Sequence, residues 1–316
     1  MSKIELFKPD FLFRNRHVQT MISPLTRSPT PLPNSKIWKC EKDDITLYGR
    51  LHPTNKDHNH IVVIFHGLGG HMHSPYVTGV AHSLIQSGFS VLRMALRGGE
   101  DDSIHTYHAN QIEDIGWVVE KLILEGYKVS LLGFSLSSSM ILKWLEQKQP
   151  IESAFIISPP TNLDRCVKRL DDKDNRMYQK YFLKKLHKLL MMKAKTCPKI
   201  FEEFIKPETF SSIRGFDTHF TAKRNGYSSA EEYYSESSPT RLDQIQNQIC
   251  IVHAKDDPFI DSIDLERFQK SLPSNIQLHL PAFGGHVGFY QGFRKPYMID
   301  LWAADYFKKI LLDVKA

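Results

Sequence analysis

The segment Ile61-Val62-Val63-Ile64-Phe65 is apolar at every position. A surface helix keeps one side polar and a half-covered strand alternates, so an unbroken run of this length fits a strand buried on both faces. Short, mostly apolar runs recur at 90–95, 129–132, 154–157 and 249–252, and 276–280 reads as a last strand. Between them, apolar residues at helical spacing mark 76–86, through Val77, Val80, Ala81 and Leu84, and 112–124, through Ile115, Val118, Val119 and Leu122. A further helix follows from Leu136 to about Gln147, and residues 297–312 read as a closing helix. Strands alternating with helices predict an α/β fold with a mostly parallel, doubly wound sheet.

Ahead of this rhythm, Trp38-Lys39-Cys40-Glu41 and Ile45-Thr46-Leu47-Tyr48-Gly49-Arg50-Leu51 read as a hairpin turned at Asp43-Asp44. Residues 1–34 contain Pro9, Pro24, Pro29, Pro31 and Pro33 and are expected to be irregular and packed on the core. The core is then 35–160 with 247–316. Residues 161–246 lack the strand–helix rhythm and read as a helical cap insertion, with Tyr178, Phe182, Leu186, Leu189 and Leu190 at helical spacing.

Charge is uneven along the chain. Residues 161–225 hold 16 of the 41 Lys and Arg but only 8 of the 35 Asp and Glu. The basicity belongs to one segment, which argues against a general nucleic-acid binder and for a local basic face. Such a face, with Lys184, Lys185 and Lys188 on it, is either solvated or drawn to an anionic membrane surface. No stretch approaches the ~20 apolar residues of a membrane span, and Met1 to Asp10 shows no secretory signal. Cys40, Cys166, Cys197 and Cys250 are dispersed, without a Cys-x-x-Cys pair. Free thiols in a reducing cytoplasm are the expectation.

Chemistry concentrates at strand ends. Lys128-Val129-Ser130-Leu131-Leu132-Gly133-Phe134-Ser135-Leu136-Ser137 reads as a strand, a tight turn at Ser135, and the start of a helix. Such a turn lifts a serine hydroxyl above the sheet, and the helix aims its N-terminal N–H groups at the same place. The usual spacing is Gly-x-Ser-x-Gly. Here Ser137 takes the last position, where a Cβ is expected to crowd the turn.

A serine needs a base and an orienting acid to become a nucleophile. Asp256-Asp257-Pro258 follows the strand 249–252, and its distance from the strand end favours Asp257 over Asp256 as the acid. His286, between Gly285 and Val287-Gly288, follows the last strand and is the candidate base. His66-Gly67-Leu68-Gly69-Gly70 follows the strand 61–65, so the N–H groups of Leu68 and Leu136 are the candidate oxyanion-hole pair. His71 and His73 form a weaker pattern for a metal, completed only by Asp101 or Asp102, and no metal site is expected.

These motifs, with Asn15-Arg16-His17-Val18-Gln19-Thr20, Ser158-Pro159-Pro160, Asn175-Arg176-x-Tyr178-Gln179-x-Tyr181-Phe182 and Tyr233-Tyr234, resemble the YheT-like α/β-hydrolases, a group that also contains eukaryotic abhydrolase-domain lipases. The resemblance covers nearly the whole chain. The group's pattern after the glycine and aromatic residue is Ser-Leu-Gly-Gly-Asn, where this chain has Ser135-Leu136-Ser137-Ser138-Ser139. It implies an α/β-hydrolase fold and a serine carboxylic-ester hydrolase with a Ser135–His286–Asp257 triad. The substrate implied is an acyl ester, including lipid esters, and no cofactor is required. The alternatives are a non-catalytic hydrolase-fold binding protein, or an acyltransferase or thioesterase on the same triad.

Overall fold

The computed structural model describes residues 4–54, 59–100 and 103–313. Eight strands form one sheet: β1 (Lys36–Lys42), β2 (Ile45–His52), β3 (His60–Phe65), β4 (Ser90–Met94), β5 (Lys128–Phe134), β6 (Ser153–Ile157), β7 (Gln248–Val252) and β8 (Ile276–His279). Their order is β1-β2-β4-β3-β5-β6-β7-β8. β3 to β8 run parallel, while β2 is antiparallel to both β1 and β4. The β1–β2 hairpin turns at Asp43, whose φ is 53°.

The apolar runs sort by parity, as side chains on a pleated strand must. Ile61, Val63 and Phe65 of β3 join one core with Leu131, Ile156 and Ile251. Val62 and Ile64 join the opposite core with Leu132, Phe155 and Val252. Each such side chain contributes roughly 1.5–3 kcal/mol by leaving water, so both faces of the sheet must be covered.

Helix α1 (Arg16–Thr26) precedes the sheet, and α2 (Pro75–Gln86), α3 (Glu113–Leu124) and α4 (Leu136–Leu145) connect its strands. Val77, Val80 and Leu84 of α2 cover one face together with Trp302 and Phe307 of the closing helix Met298–Asp313. Ile115 and Val118 of α3 and Met140 and Ile141 of α4 cover the other. The chain is thus doubly wound, as the alternation predicts.

Between β6 and β7 the described residues contain no strand. The principal helices there are α5 (Leu163–Asp171), capped by Asn162, and α6 (Arg176–Thr196). A helix at Ala230–Ser237 is capped by Ser229. Tyr178, Leu186 and Leu190 of α6 are buried, and Phe182 is half-buried. Lys184 and Lys188 face solvent, as a basic face requires, but Lys185 does not belong with them: it is half-buried and lines the cavity beside Ser135. Lys193 departs from that reading. It is fully buried and donates from Nζ to the Ser103 carbonyl at 2.7 Å.

The expectation of irregular structure over 1–34 needs correction, because α1 lies inside it. Asn15 starts the helix by accepting the N–H groups of His17 and Val18, and Pro24 falls in the last turn. Proline density outside the helix hid a well-capped element within.

Candidate active site

Ser135 sits between β5 and α4 with φ 53° and ψ −115°. A non-glycine residue there is strained by roughly 1–3 kcal/mol and persists only where its surroundings hold it. They do. Gly133 passes so close to α4 that a Cβ would lie 2.9 Å from the Ser138 backbone nitrogen. Ser135 N–H donates to the Ile157 carbonyl at 2.9 Å.

The three serines that follow tie α4 to both neighbouring strands. Ser137 Oγ accepts from Phe134 N at 2.9 Å and donates to Phe65 O at 2.8 Å, at the end of β3. Ser138 Oγ donates to Ile157 O at 2.8 Å and accepts from Ile157 N. Ser139 Oγ donates to Pro160 O at 2.7 Å. All three are fully buried. Ser137 is therefore not merely a crowded replacement for glycine. Its hydroxyl satisfies buried backbone groups at the turn, which are costly to leave unpaired.

Above the turn, His286 Nε2 lies 2.9 Å from Ser135 Oγ, and His286 Nδ1 lies 2.8 Å from Asp257 Oδ2. The carboxylate fixes the tautomer: Nδ1–H donates to Asp257, which leaves Nε2 to accept the serine proton. Asp257 Oδ1 also accepts from Phe259 N and Ile260 N, at 3.1 and 3.0 Å. Burial pushes the Asp257 pKa up, but the adjacent His286, helped by His253 and the Ile260 N–H, holds it below the ordinary carboxylate range. Asp256 takes a different part. Its Oδ1 accepts from Gly285 N at 2.8 Å, and burial raises its pKa to about 6.

The loop carrying His286 is held from below by α1. Thr20 Oγ1 accepts from His286 N at 2.9 Å. Gln19, fully buried, donates to Phe13 O and Tyr290 O and accepts from Tyr290 N. The contact is tight: a Cβ on Gly285 would lie 2.6 Å from the Arg16 carbonyl and from Thr20 Oγ1. Gln19 and Thr20 belong to the Asn15–Thr20 motif, which gave a family signal but no role. Their partners on the His286 loop lie some 270 residues away and no local pattern points to them.

The turn after β3 is anchored by two tyrosines. Gly67 N donates to Tyr76 Oη at 3.1 Å and Gly69 N to Tyr107 Oη at 3.0 Å. Leu68 N, between them, has no acceptor among the described residues, and Leu136 is the first residue of α4. His66 fixes the start of the turn. Burial lowers its pKa to about 4, and the neutral ring bonds the Gly67 carbonyl through Nδ1 and accepts Leu96 N–H at Nε2.

Two cavities meet at Ser135. The wider, about 260 Å³, is lined by Leu68, Tyr76, Tyr178, Tyr181 and His286. The narrower, about 90 Å³, lies under α5 and α6 and is lined by Leu136, Leu163, Val167, Leu186 and Phe216. His71 Nδ1 accepts the His73 N–H, while Asp101 and Asp102 lie outside the described residues. Among the described residues no group of three His, Cys, Asp or Glu is placed to hold a metal.

Similarity to known proteins agrees with this architecture. A family model described as the alpha/beta hydrolase fold matches residues 60–293. The chain therefore belongs to the α/β-hydrolase fold family, in its YheT-like group. It is 31% identical over 294 residues to YheT of Escherichia coli (strain K12), named as a candidate esterase, covering 89% of this chain and 86% of that one. It is 28% identical over 245 residues to phospholipase ABHD3 of Mus musculus, covering 73% of this chain but only 58% of that protein. Among solved structures, a Pyrococcus furiosus esterase superposes with a TM-score of 0.61 at 18% identity, covering 90% of this chain and 97% of that one.

Proposed function

We propose that this protein is a serine carboxylic-ester hydrolase. One observation carries the reading: Ser135, His286 and Asp257 form an unbroken hydrogen-bonded chain at the junction of two largely apolar cavities. In the reaction, Ser135 Oγ attacks the ester carbonyl carbon while His286 Nε2 takes its proton. The oxyanion is held by the N–H groups of Leu68 and Leu136. The carbon–oxygen ester bond then breaks, and the alcohol leaves with the proton from His286. Water, deprotonated by His286, attacks the acyl-serine and releases the carboxylic acid. Asp257 keeps the imidazole in the right tautomer and stabilises the imidazolium. Segment 161–246 serves as a cap that encloses the acyl-enzyme.

Hydrolysis of p-nitrophenyl butanoate tests the reading. Ser135→Ala should lower turnover by roughly 10⁵–10⁶-fold with an almost unchanged melting temperature. Full activity in that variant rejects it.

A further inference from the structure

The two cavities differ in one respect that assigns them. Ser135 lines both, but His286 lines only the wider one. The departing alkoxide must take its proton from His286 Nε2, so it leaves on the side where His286 is exposed. The acyl chain, on the other side of the same carbonyl carbon, then points into the narrow chamber. We propose that this chamber is the acyl site and that it restricts the enzyme to short acyl groups, of about four carbons, on a bulkier alcohol. The assignment rests on the ester-hydrolase reading above and deepens it.

Size carries the length limit. An engineered cavity of ~150 Å³ takes benzene, six carbons, and the chamber measures about 90 Å³. Its walls are apolar, formed by Leu136, Leu163, Val167, Leu186 and Phe216. Asp217, a buried carboxyl that accepts from Tyr234 Oη at 2.9 Å and Thr221 Oγ1 at 2.8 Å, lines the chamber as well. A longer chain has to displace these bonded side chains or prise α6 away. The wider cavity, with three tyrosines on its lining, has room for the larger alcohol.

The experiment is a series of p-nitrophenyl esters, acetate, butanoate, octanoate and dodecanoate, on the full chain. kcat/KM should peak at butanoate and fall at least ~10-fold by octanoate. Phe216→Ala and Leu186→Ala, tested separately, should each raise the octanoate-to-butanoate ratio by about 10-fold. Tyr181→Ala, in the wider cavity, should leave the order of chain lengths as it is. A flat profile, or a peak at octanoate or dodecanoate, overturns the acyl-site assignment while leaving the esterase reading intact. If no ester in the series is cleaved above the Ser135→Ala background, the esterase reading falls and the chamber assignment with it. If either enlarging variant fails to fold, the wild-type profile alone decides.

Discussion

At the residue scale, the turn at Ser135 shows how a departure from a motif is compensated. Ser137 replaces a glycine, and its hydroxyl bridges Phe134 N and Phe65 O. Ser137→Gly relieves crowding but strands those groups, which costs about 1–3 kcal/mol. Chemical denaturation should therefore show a less stable protein; unchanged stability contradicts the bridging role. The two aspartates can be separated in the same way. Asp257→Asn should cost on the order of 10⁴ in turnover, the scale set by loss of a triad acid. Asp256→Asn keeps an oxygen for Gly285 N–H and should cost far less; a reversed ranking in steady-state kinetics contradicts the assignment. Gly133, Ser135 and His286 stood out in the sequence because glycine spacing and strand ends are local signals. The partners of Ser137, Ser138 and Ser139 lie on other strands, so the same reading saw only crowding.

At the scale of elements, the central parallel strands were legible because burial on both faces keeps most of their positions apolar, with few polar residues such as Arg93 and Ser130 to interrupt the pattern. The hairpin, α2, α3 and the closing helix also fall within a few residues of their expected limits. Helix α1 was not legible, since the prolines around it outweigh its Asn15 cap. Neither was the chain of short helices after α6, whose turns take their order from packing under α5 and α6. Yet α1 holds the His286 loop through Thr20 and Gln19. Gln19→Leu removes two hydrogen bonds to Tyr290 from that contact, with a third to Phe13 O, and Thr20→Val removes the acceptor for His286 N. Both should lower kcat by at least ~10-fold with little change in KM, because misplacing the base by about an ångström is that costly. A fall in melting temperature with kcat unchanged indicates a purely structural contact instead.

At the scale of the molecule, the sheet is a platform on which the candidate site residues gather beyond the C-terminal ends of the parallel strands β5, β7 and β8. No helix among the described residues is long and apolar enough to cross a membrane. Buried titratable groups pull stability in opposite directions as pH changes. His52, His66 and His108 are held near pKa 4 mainly by burial, so their contribution is lost as pH falls from 6.5 towards 4. Asp217 is raised to about 6 by burial, so the folded state binds its proton more tightly and stability is lost as pH rises from about 4 to 6. Relative to wild type, Asp217→Asn should therefore gain stability across that window, by on the order of 2–3 kcal/mol. Urea denaturation at the two ends of the window measures the difference, and parallel pH profiles contradict it. The central claim is that Ser135 is an activated nucleophile, and one measurement addresses it most directly. Wild type treated with a fluorophosphonate probe, then digested and mapped by mass spectrometry, should carry the label on Ser135 alone, and Ser135→Ala should carry none. An unlabelled wild-type protein, or label on another serine that survives in Ser135→Ala, contradicts the account.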